Sequence, residues 1–199
     1  MSARPIPTKT ALLLLDLQVG LLSRFPEDYP LLDNVASAIA IARKYGVQVA
    51  HIRVSLSEAE AQAVPETNIA FASFKANKEL LANMAPDAPG AQFHPKVAPQ
   101  DGDLVNRKVR YGPFMVNPSK TMLDDFVAKG INTVLLAGVA TSGAVLSSMR
   151  QLCDLDYGLF VLEECCADPD AEVHRVLCEK VFPKGAKVIK NSELEGLFE

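Results

Sequence analysis

The sequence lacks an apolar segment long enough to cross a bilayer. Its N-terminal apolar run, residues 11–17, has only 7 residues and contains Asp16, whereas a transmembrane helix needs about 20 residues. No apolar signal segment precedes this run. Basic residues are not in excess either, because 20 lysines and arginines are outnumbered by 24 acidic residues and the net charge is −4. These absences predict a cytoplasmic protein with no membrane partner and no nucleic-acid partner.

Metal-binding motifs are also absent from the sequence. The four cysteines show no C-x-x-C spacing, and the adjacent pair among them is a poor basis for a disulfide framework. The three histidines are scattered and form no His-x-x-x-His motif. We therefore expect no metal, no cofactor, and cysteines that are reduced and buried. The residues concerned are Cys153, Cys165, Cys166, Cys178, His51, His94 and His174.

Strand and helix patterns alternate along the chain, without an internal repeat. The 199 residues, 49% of them apolar, fit one domain, residues 1–199, with a sizeable core. The alternation predicts an α/β fold, a three-layer α/β/α sandwich with a six-stranded, mostly parallel sheet. The predicted strands are 11–17, 47–54, 104–109, 133–137, 159–162 and 185–190. The predicted helices are 31–45, 71–84, 119–129, 144–157, 169–181 and 192–198.

The segment 132–150, NTVLLAGVATSGAVLSSMR, is the most informative part of the chain. Its pattern predicts a buried strand, a tight turn and a helix, with Thr141 or Ser142 as the helix N-cap and Gly143 allowing close backbone approach. Such a turn leaves unpaired backbone N–H groups at the carboxyl end of a strand, where an anion or a developing oxyanion can bind. An ordinary strand-to-helix connection explains the same spacing.

Asp16 ends the first apolar strand, where a carboxylate is costly to bury without a partner or a function. This position predicts a general acid or base at the carboxyl edge of the sheet. The alternative is a carboxylate that caps a turn or a helix. We expect the first strand and the strand before Gly138 to be central neighbours that flank the switch point of the sheet, where open α/β folds bind ligands.

Four segments resemble the isochorismatase-like hydrolases, or cysteine hydrolase superfamily, which includes nicotinamidases and N-carbamoylsarcosine amidases. GVATSGAV, residues 138–145, resembles the nucleophile turn of that family, and Asp16-Leu17-Gln18 matches its D-x-Q opening. KVRYGPF, residues 108–114, resembles its lysine-bearing segment, with a proline in place of the usual alanine. ECCAD, residues 164–168, resembles its D-A-C-A-D element. The resemblance covers nearly the whole chain.

The resemblance implies an isochorismatase-like fold and a triad in which a nucleophilic cysteine joins Asp16 and Lys108. In this sequence, Ala144 occupies the position of that cysteine. The resemblance also implies a cis peptide between Val139 and Ala140, a small-molecule substrate, and a homo-oligomer that is a dimer or larger. The residues that it places at the substrate are Gln18, Tyr111, Phe114, Val139, Ala140, Thr141 and Gly143.

The long irregular stretch 55–103 is expected to line the pocket or to contact another subunit, as in the family. Phe71, Phe74 and Phe93 are candidate pocket walls, and ordinary packing is the alternative. Arg107 and Arg110, on either side of the triad lysine, are interpreted as surface residues.

The methyl group of Ala144 has no acidic proton and no lone pair, so it cannot be a nucleophile. Cys166 is interpreted as a packing thiol and not as a substitute nucleophile. Three functions remain open. The first is a hydrolase without covalent catalysis, as in true isochorismatases, in which the aspartate protonates a vinyl ether and water completes the cleavage. The second is an amidase whose cysteine has been replaced. The third is a non-catalytic binding or scaffold protein, which an idle buried charge pair disfavours.

Overall fold

A computed structural model describes residues 4–115 and 121–199, with the backbone alone at residues 73 and 74. The strands are β1 (Thr10–Leu15), β2 (Gln48–Val54), β3 (Leu104–Lys108), β4 (Thr133–Val139), β5 (Gly158–Ala167) and β6 (Lys187–Ile189). They form one parallel sheet in the order β3-β2-β1-β4-β5-β6. The predicted α/β fold with a six-stranded sheet is therefore confirmed.

Helices cover both faces of this sheet. They are α1 (Val19–Leu22), α2 (Leu31–Lys44), α3 (Glu58–Gln62), α4 (Ile69–Ala76), α5 (Lys78–Asn83), α6 (Met122–Lys129), α7 (Leu146–Cys153), α8 (Ala171–Val176) and α9 (Asn191–Leu194). Side chains of β1 alternate between two apolar clusters. Leu12 and Leu14 pack with α2 and α9, and Leu13 and Leu15 pack with α6 and α7. The sheet is thus the middle layer of an α/β/α sandwich. Within the described ranges, no helix is long and apolar enough to span a membrane.

The strand order places the candidate residues at one edge of the sheet. β1 and β4 are adjacent at its centre, as predicted, and the order of connections reverses between them. Asp16 directly follows β1, and the turn formed by Thr141–Val145 follows β4. Because parallel strands end at the same edge, both lie at the switch point where this class of fold binds ligands.

The strand β5 is longer than the sequence pattern predicts. The prediction ended it at residue 162, but it continues to Ala167, so that Glu163 lies within the strand and not after it. Its pairing with β4 shifts register between Leu136 and Gly138, and β5 then continues beside the end of β4. The sequence does not predict this continuation, because Glu163 and Glu164 interrupt the apolar pattern. The continuation depends instead on an irregularity in the pairing with β4.

The predicted helix 71–84 is two helices in the structure. Asn77 separates α4 from α5 because its side chain accepts a hydrogen bond from the Leu80 N–H and caps α5. The start of the predicted helix 119–129 lies outside the described residues. That helix ends as expected at Gly130, which has a φ of +65°.

Two further helices contain π-helical turns that the sequence did not predict. The predicted helix 144–157 becomes α-helical only at Leu146, after the turn Thr141–Val145. The predicted helix 169–181 begins as α8 and changes to a π-helical turn at Leu177–Val181. Apolar spacing does not distinguish such turns from a continuous helix, because both keep similar residues on the buried side.

Candidate active site

Asp16 lies directly after β1 and is almost fully buried, with 5% of the residue exposed. Its φ is +57°, a left-handed conformation that aspartate adopts more readily than most residues do. The Asp16 N–H donates to the carbonyl oxygen of Ile52 at 2.9 Å, and its own carbonyl accepts from the Gln18 N–H at 2.8 Å. These bonds fix the backbone, so the position of the carboxylate is set by the sheet itself.

Gly138 allows the two central strands to approach closely at this edge. It pairs with Leu15 across β1 and β4 and has a φ of +126°. A Cβ atom at this position would lie 2.0 Å from the carbonyl oxygen of Leu15, far inside van der Waals contact. Only glycine therefore permits a spacing that brings Asp16 next to the turn after β4.

Lys108 reaches Asp16 from the end of β3. The strand β2 lies between β1 and β3, and neighbouring strands are about 4.8 Å apart, so the lysine side chain extends across β2. Its Nζ lies 2.7 Å from Asp16 Oδ2 and donates to the carbonyl oxygen of Tyr111 at 2.6 Å. The Lys108 side chain is 1% exposed, so this is a buried and hydrogen-bonded charge pair.

The electrostatics of this pair favour proton transfer. Burial raises the pKa of Asp16 to about 6, and the opposing effect of the Lys108 charge is smaller. Burial likewise lowers the pKa of Lys108, although Asp16 acts to raise it. The second carboxylate oxygen, Asp16 Oδ1, is buried and has no hydrogen-bond partner among the described residues. Asp16 can therefore exchange a proton near neutral pH through an oxygen that is still available to a ligand.

The turn after β4 has the predicted cis peptide between Val139 and Ala140. Ala144 lies in this turn and is 2% exposed. The expectation of unpaired N–H groups is not met at Ser142, whose N–H and hydroxyl both donate to Asp168 Oδ2 at 2.8 and 2.6 Å. The N–H groups of residues 143 and 145 are also bonded, both to the carbonyl oxygen of Ala140. Asp168, three residues before α8, thus takes the place that an anion was expected to occupy.

A pocket of about 280 Å³ opens at this edge. It brings together the three residues of the implied triad, Asp16, Lys108 and Ala144. Of the predicted substrate residues it includes Tyr111, Val139, Ala140 and Gly143. The remaining lining residues are Leu21, Arg24, Val54, Phe71, Leu80 and Arg110.

Gln18 does not line this pocket, although it was predicted to contact substrate. Its buried amide donates to the carbonyl oxygens of Val54 and Ala91 at 2.9 and 3.0 Å and accepts from the Val54 N–H at 2.8 Å. These bonds join β2 to the loop before β3. Gln18 therefore supports the wall of the pocket from behind.

Phe114 and Thr141 were also predicted at the substrate, and neither lines the pocket. Phe114 is buried in the core, with its ring centroid 6.2 Å from that of Phe126. The hydroxyl of Thr141 lies 2.9 Å from Nδ1 of His174. Phe114 was assigned from the lysine-bearing segment and Thr141 from the turn, but both side chains are buried in protein.

The aromatic and basic walls of the pocket were only partly predicted. Phe71 lines it as proposed, whereas Phe93 packs edge-on against His51 with ring centroids 5.5 Å apart; the side chain of Phe74 lies outside the described structure. Arg110, interpreted as a surface residue, lines the pocket with its guanidinium 5.1 Å from the Phe71 ring centroid. Arg24 was not predicted at all, because it lies in an exposed segment after α1.

Comparison with known proteins gives consistent results. Residues 10–193 match the isochorismatase domain. The isochorismatase family protein YwoC of Bacillus subtilis (strain 168) is 25% identical over 179 residues, 90% of this chain and 88% of its own. A maleamate amidohydrolase of Pseudomonas putida is 26% identical over 190 residues, 93% of this chain and 84% of its own. The crystal structure of a cysteine hydrolase from Pseudomonas syringae pv. phaseolicola superposes with a TM-score of 0.78 at 17% identity, covering 99% of this chain and 95% of that one.

Proposed function

The chain belongs to the isochorismatase family, and from that premise we propose that it is a hydrolase of a small molecule that works without a covalent cysteine intermediate. The observation that carries the proposal is the buried Asp16–Lys108 pair on the wall of a pocket that also contains Ala144. A proton-transfer group and a cation are present there, while the position of the family nucleophile carries a methyl group.

The pair supports an acid-catalysed cleavage of a vinyl ether. Protonated Asp16 transfers its proton from the unpartnered Oδ1 to the terminal vinyl carbon, and the ether oxygen stabilises the resulting cation. Water then adds to the carbon that bears this oxygen and releases a proton to Asp16. Collapse of the hemiketal gives a carbonyl compound and an alcohol. Lys108 offsets the carboxylate charge that Asp16 acquires after the transfer.

A second candidate function is an amidase in which the cysteine at position 144 has been replaced. It is favoured by the similarity to a maleamate amidohydrolase, which acts on an amide. In such an enzyme, Asp16 would take the proton of the thiol, and the thiolate would attack the amide carbonyl. A third possibility, a non-catalytic binding protein, leaves the buried Asp16–Lys108 pair without a function, and buried pairs of this kind do not in general add stability.

The charges at the pocket rim favour a substrate that carries a carboxylate. Lys108 is offset by Asp16, but Arg24 and Arg110 have no carboxylate partner among the described residues. Two uncompensated guanidinium groups at the entrance of a small pocket bind a carboxylate well, since their planar donors match its two oxygens. Apolar walls, including the Phe71 ring beneath Arg110, would accept the body of the molecule. The maleamate of the relative is itself a carboxylate.

Replacing Arg110 by Met should raise KM for a carboxylate substrate about 10- to 100-fold, because one hydrogen bond between charged groups contributes about 1.5–3 kcal/mol. The effect on kcat should be smaller, since the Asp16–Lys108 pair is held by its own ion pair and the Tyr111 carbonyl and not by Arg110. The matched control is Arg150→Met, an exposed arginine on α7 that does not line the pocket. Equal KM values for the two variants would remove the carboxylate assignment.

The variant Ala144→Cys tests the proposed function against the amidase. Beside Lys108 the new thiol should have a lowered pKa and alkylate at least about 10-fold faster than the native cysteines, three of which are buried. We expect wild type to hydrolyse vinyl ethers in a panel of vinyl ethers, amides and esters, and the variant to gain no amide hydrolysis. The matched control is Ala144→Ser, which adds a hydroxyl of similar size. Wild type that is inert throughout, with amide hydrolysis gained only by Ala144→Cys, would instead establish the amidase.

A further inference from the structure

A second group of reactive side chains lies outside the pocket described above. Glu163 on β5, His174 on α8 and Cys178 in the π-helical turn Leu177–Val181 bring a carboxylate, an imidazole and a thiol together. Their potential ligand atoms all lie within 4.8 Å of one another. None of the three lines the pocket that contains Asp16, so the proposed hydrolysis does not use them.

His174 is held in an orientation that presents one ring nitrogen to the others. Its Nδ1 lies 2.9 Å from the hydroxyl of Thr141, and its Nε2 lies 3.7 Å from Cys178 Sγ. A histidine that ligates a metal almost always hydrogen-bonds through its other nitrogen, which fixes the tautomer and the ring plane. Thr141 provides that bond here. Glu163 has no hydrogen-bond partner for its carboxylate among the described residues, so its oxygens are available to a ligand.

The geometry points to a Zn²⁺ site formed by Glu163, His174 and Cys178, with Thr141 as the outer partner of the histidine. Tetrahedral zinc with ordinary bond lengths holds a sulfur and a nitrogen ligand about 3.5 Å apart. The Sγ–Nε2 separation of 3.7 Å already approaches this value. A mixed set of thiolate, imidazole and carboxylate ligands suits zinc, whereas Mg²⁺ and Ca²⁺ prefer oxygen ligands alone.

A cavity beside these residues provides a route for the ion and room for a fourth ligand. A cavity of about 330 Å³ is lined by Glu163 and His174 and is separate from the pocket that contains Asp16. An ion can enter through it, and water can complete the tetrahedron. Because Thr141 belongs to the turn that contains Ala144, the ion would connect α8 to this turn through the His174 bond. The spacing of His174 and Cys178 alone does not identify the site, since Glu163 lies 11 residues before His174 and joins it only through the extended β5.

The test is a titration of the full chain, dialysed against a chelator, with Zn²⁺ by calorimetry and with Co²⁺ by absorption spectroscopy. We expect one ion per chain and a thiolate-to-cobalt charge-transfer band. Cys178→Ser should abolish that band and lower the zinc affinity at least about 100-fold, since loss even of an outer partner costs 10- to 100-fold. Cys153→Ser is the matched control, a half-buried cysteine outside the cluster, and should leave both signals unchanged.

A second variant tests the site independently in case Cys178→Ser does not fold. Glu163→Gln is nearly isosteric at a half-buried position and removes only the charge, so it should fold normally and still lower the zinc affinity at least about 10-fold. Zinc binding that is equal in wild type, Glu163→Gln and Cys178→Ser would overturn the site. Wild type that binds no ion, or a charge-transfer band that disappears in Cys153→Ser, would do the same.

Discussion

The variant Asp16→Asn should lower turnover about 10²- to 10⁴-fold, the usual contribution of a positioned proton-transfer group. The change keeps the size of the side chain and an oxygen that can accept the hydrogen bond from Lys108. It removes the ability to carry a proton together with the negative charge that faces Lys108, so the variant should be less stable than wild type. Thermal unfolding and circular dichroism should show a folded protein, and binding of a substrate analogue should persist. A variant that processes vinyl ethers, amides and esters as wild type does would leave a binding role as the remaining function.

The pH dependence of kcat/KM for wild type and for Asp16→Asn shows whether Asp16 donates or accepts a proton. Burial raises the pKa of Asp16 to about 6, so the carboxyl group is protonated below that pH and ionised above it. A general acid needs the proton, and kcat/KM of wild type should therefore fall as the pH rises through about 6. Asp16→Asn should lack this step. If kcat/KM of wild type instead increased as the pH rises through about 6, Asp16 would be a general base and the amidase chemistry would be favoured.

The fold and the centre of the site could be predicted because both depend on local patterns. Apolar runs identified β1 and β4 as central strands, and parallel strands end at one edge of a sheet. Asp16 follows an apolar run and Lys108 ends β3, so their placement at this edge followed from the topology together with the family motifs. The close approach of the two strands at Gly138 was not predicted, since only the structure shows that a Cβ there would meet the Leu15 carbonyl.

The residues that the sequence placed wrongly depend on side-chain direction and on loops. Gln18 lies two positions after Asp16, yet its amide turns away from the pocket and bonds to backbone. Arg24 reaches the pocket from a segment with no regular pattern, and Arg110 reaches it by lying over an aromatic ring. Such directions are fixed by tertiary contacts, which periodicity does not encode.

The group formed by Glu163, His174 and Cys178 was not predicted, for a related reason. Metal motifs are recognised by short spacings along the chain, but these ligands come from a strand and from a helix that changes to a π-helical turn. His174 and Cys178 are four residues apart, a spacing that puts both on one side of a helix. That spacing was the one available signal, and it indicates a metal site only when Glu163 is known to lie next to both residues.

The variant Lys108→Met should destabilise the fold by about 3–5 kcal/mol at pH 7, because it leaves the Asp16 carboxylate buried without its counter-charge. Urea unfolding measures the loss, and Lys9→Met, at an exposed lysine before β1, should change stability by no more than about 0.5 kcal/mol. Turnover should fall as well, since the cation that stabilises the ionised aspartate is gone.

Two further measurements tie that loss to the charge pair and not to a packing defect. The double variant Asp16→Asn with Lys108→Met should recover much of the stability, because no buried charge is left unpaired. The deficit of Lys108→Met should also shrink at low pH. Without the lysine, the folded-state pKa of Asp16 rises further above its unfolded value, so the neutral carboxyl group is favoured in the native state and the penalty disappears as the group protonates. A deficit that is constant with pH and unchanged in the double variant would mean that Lys108 contributes through packing alone.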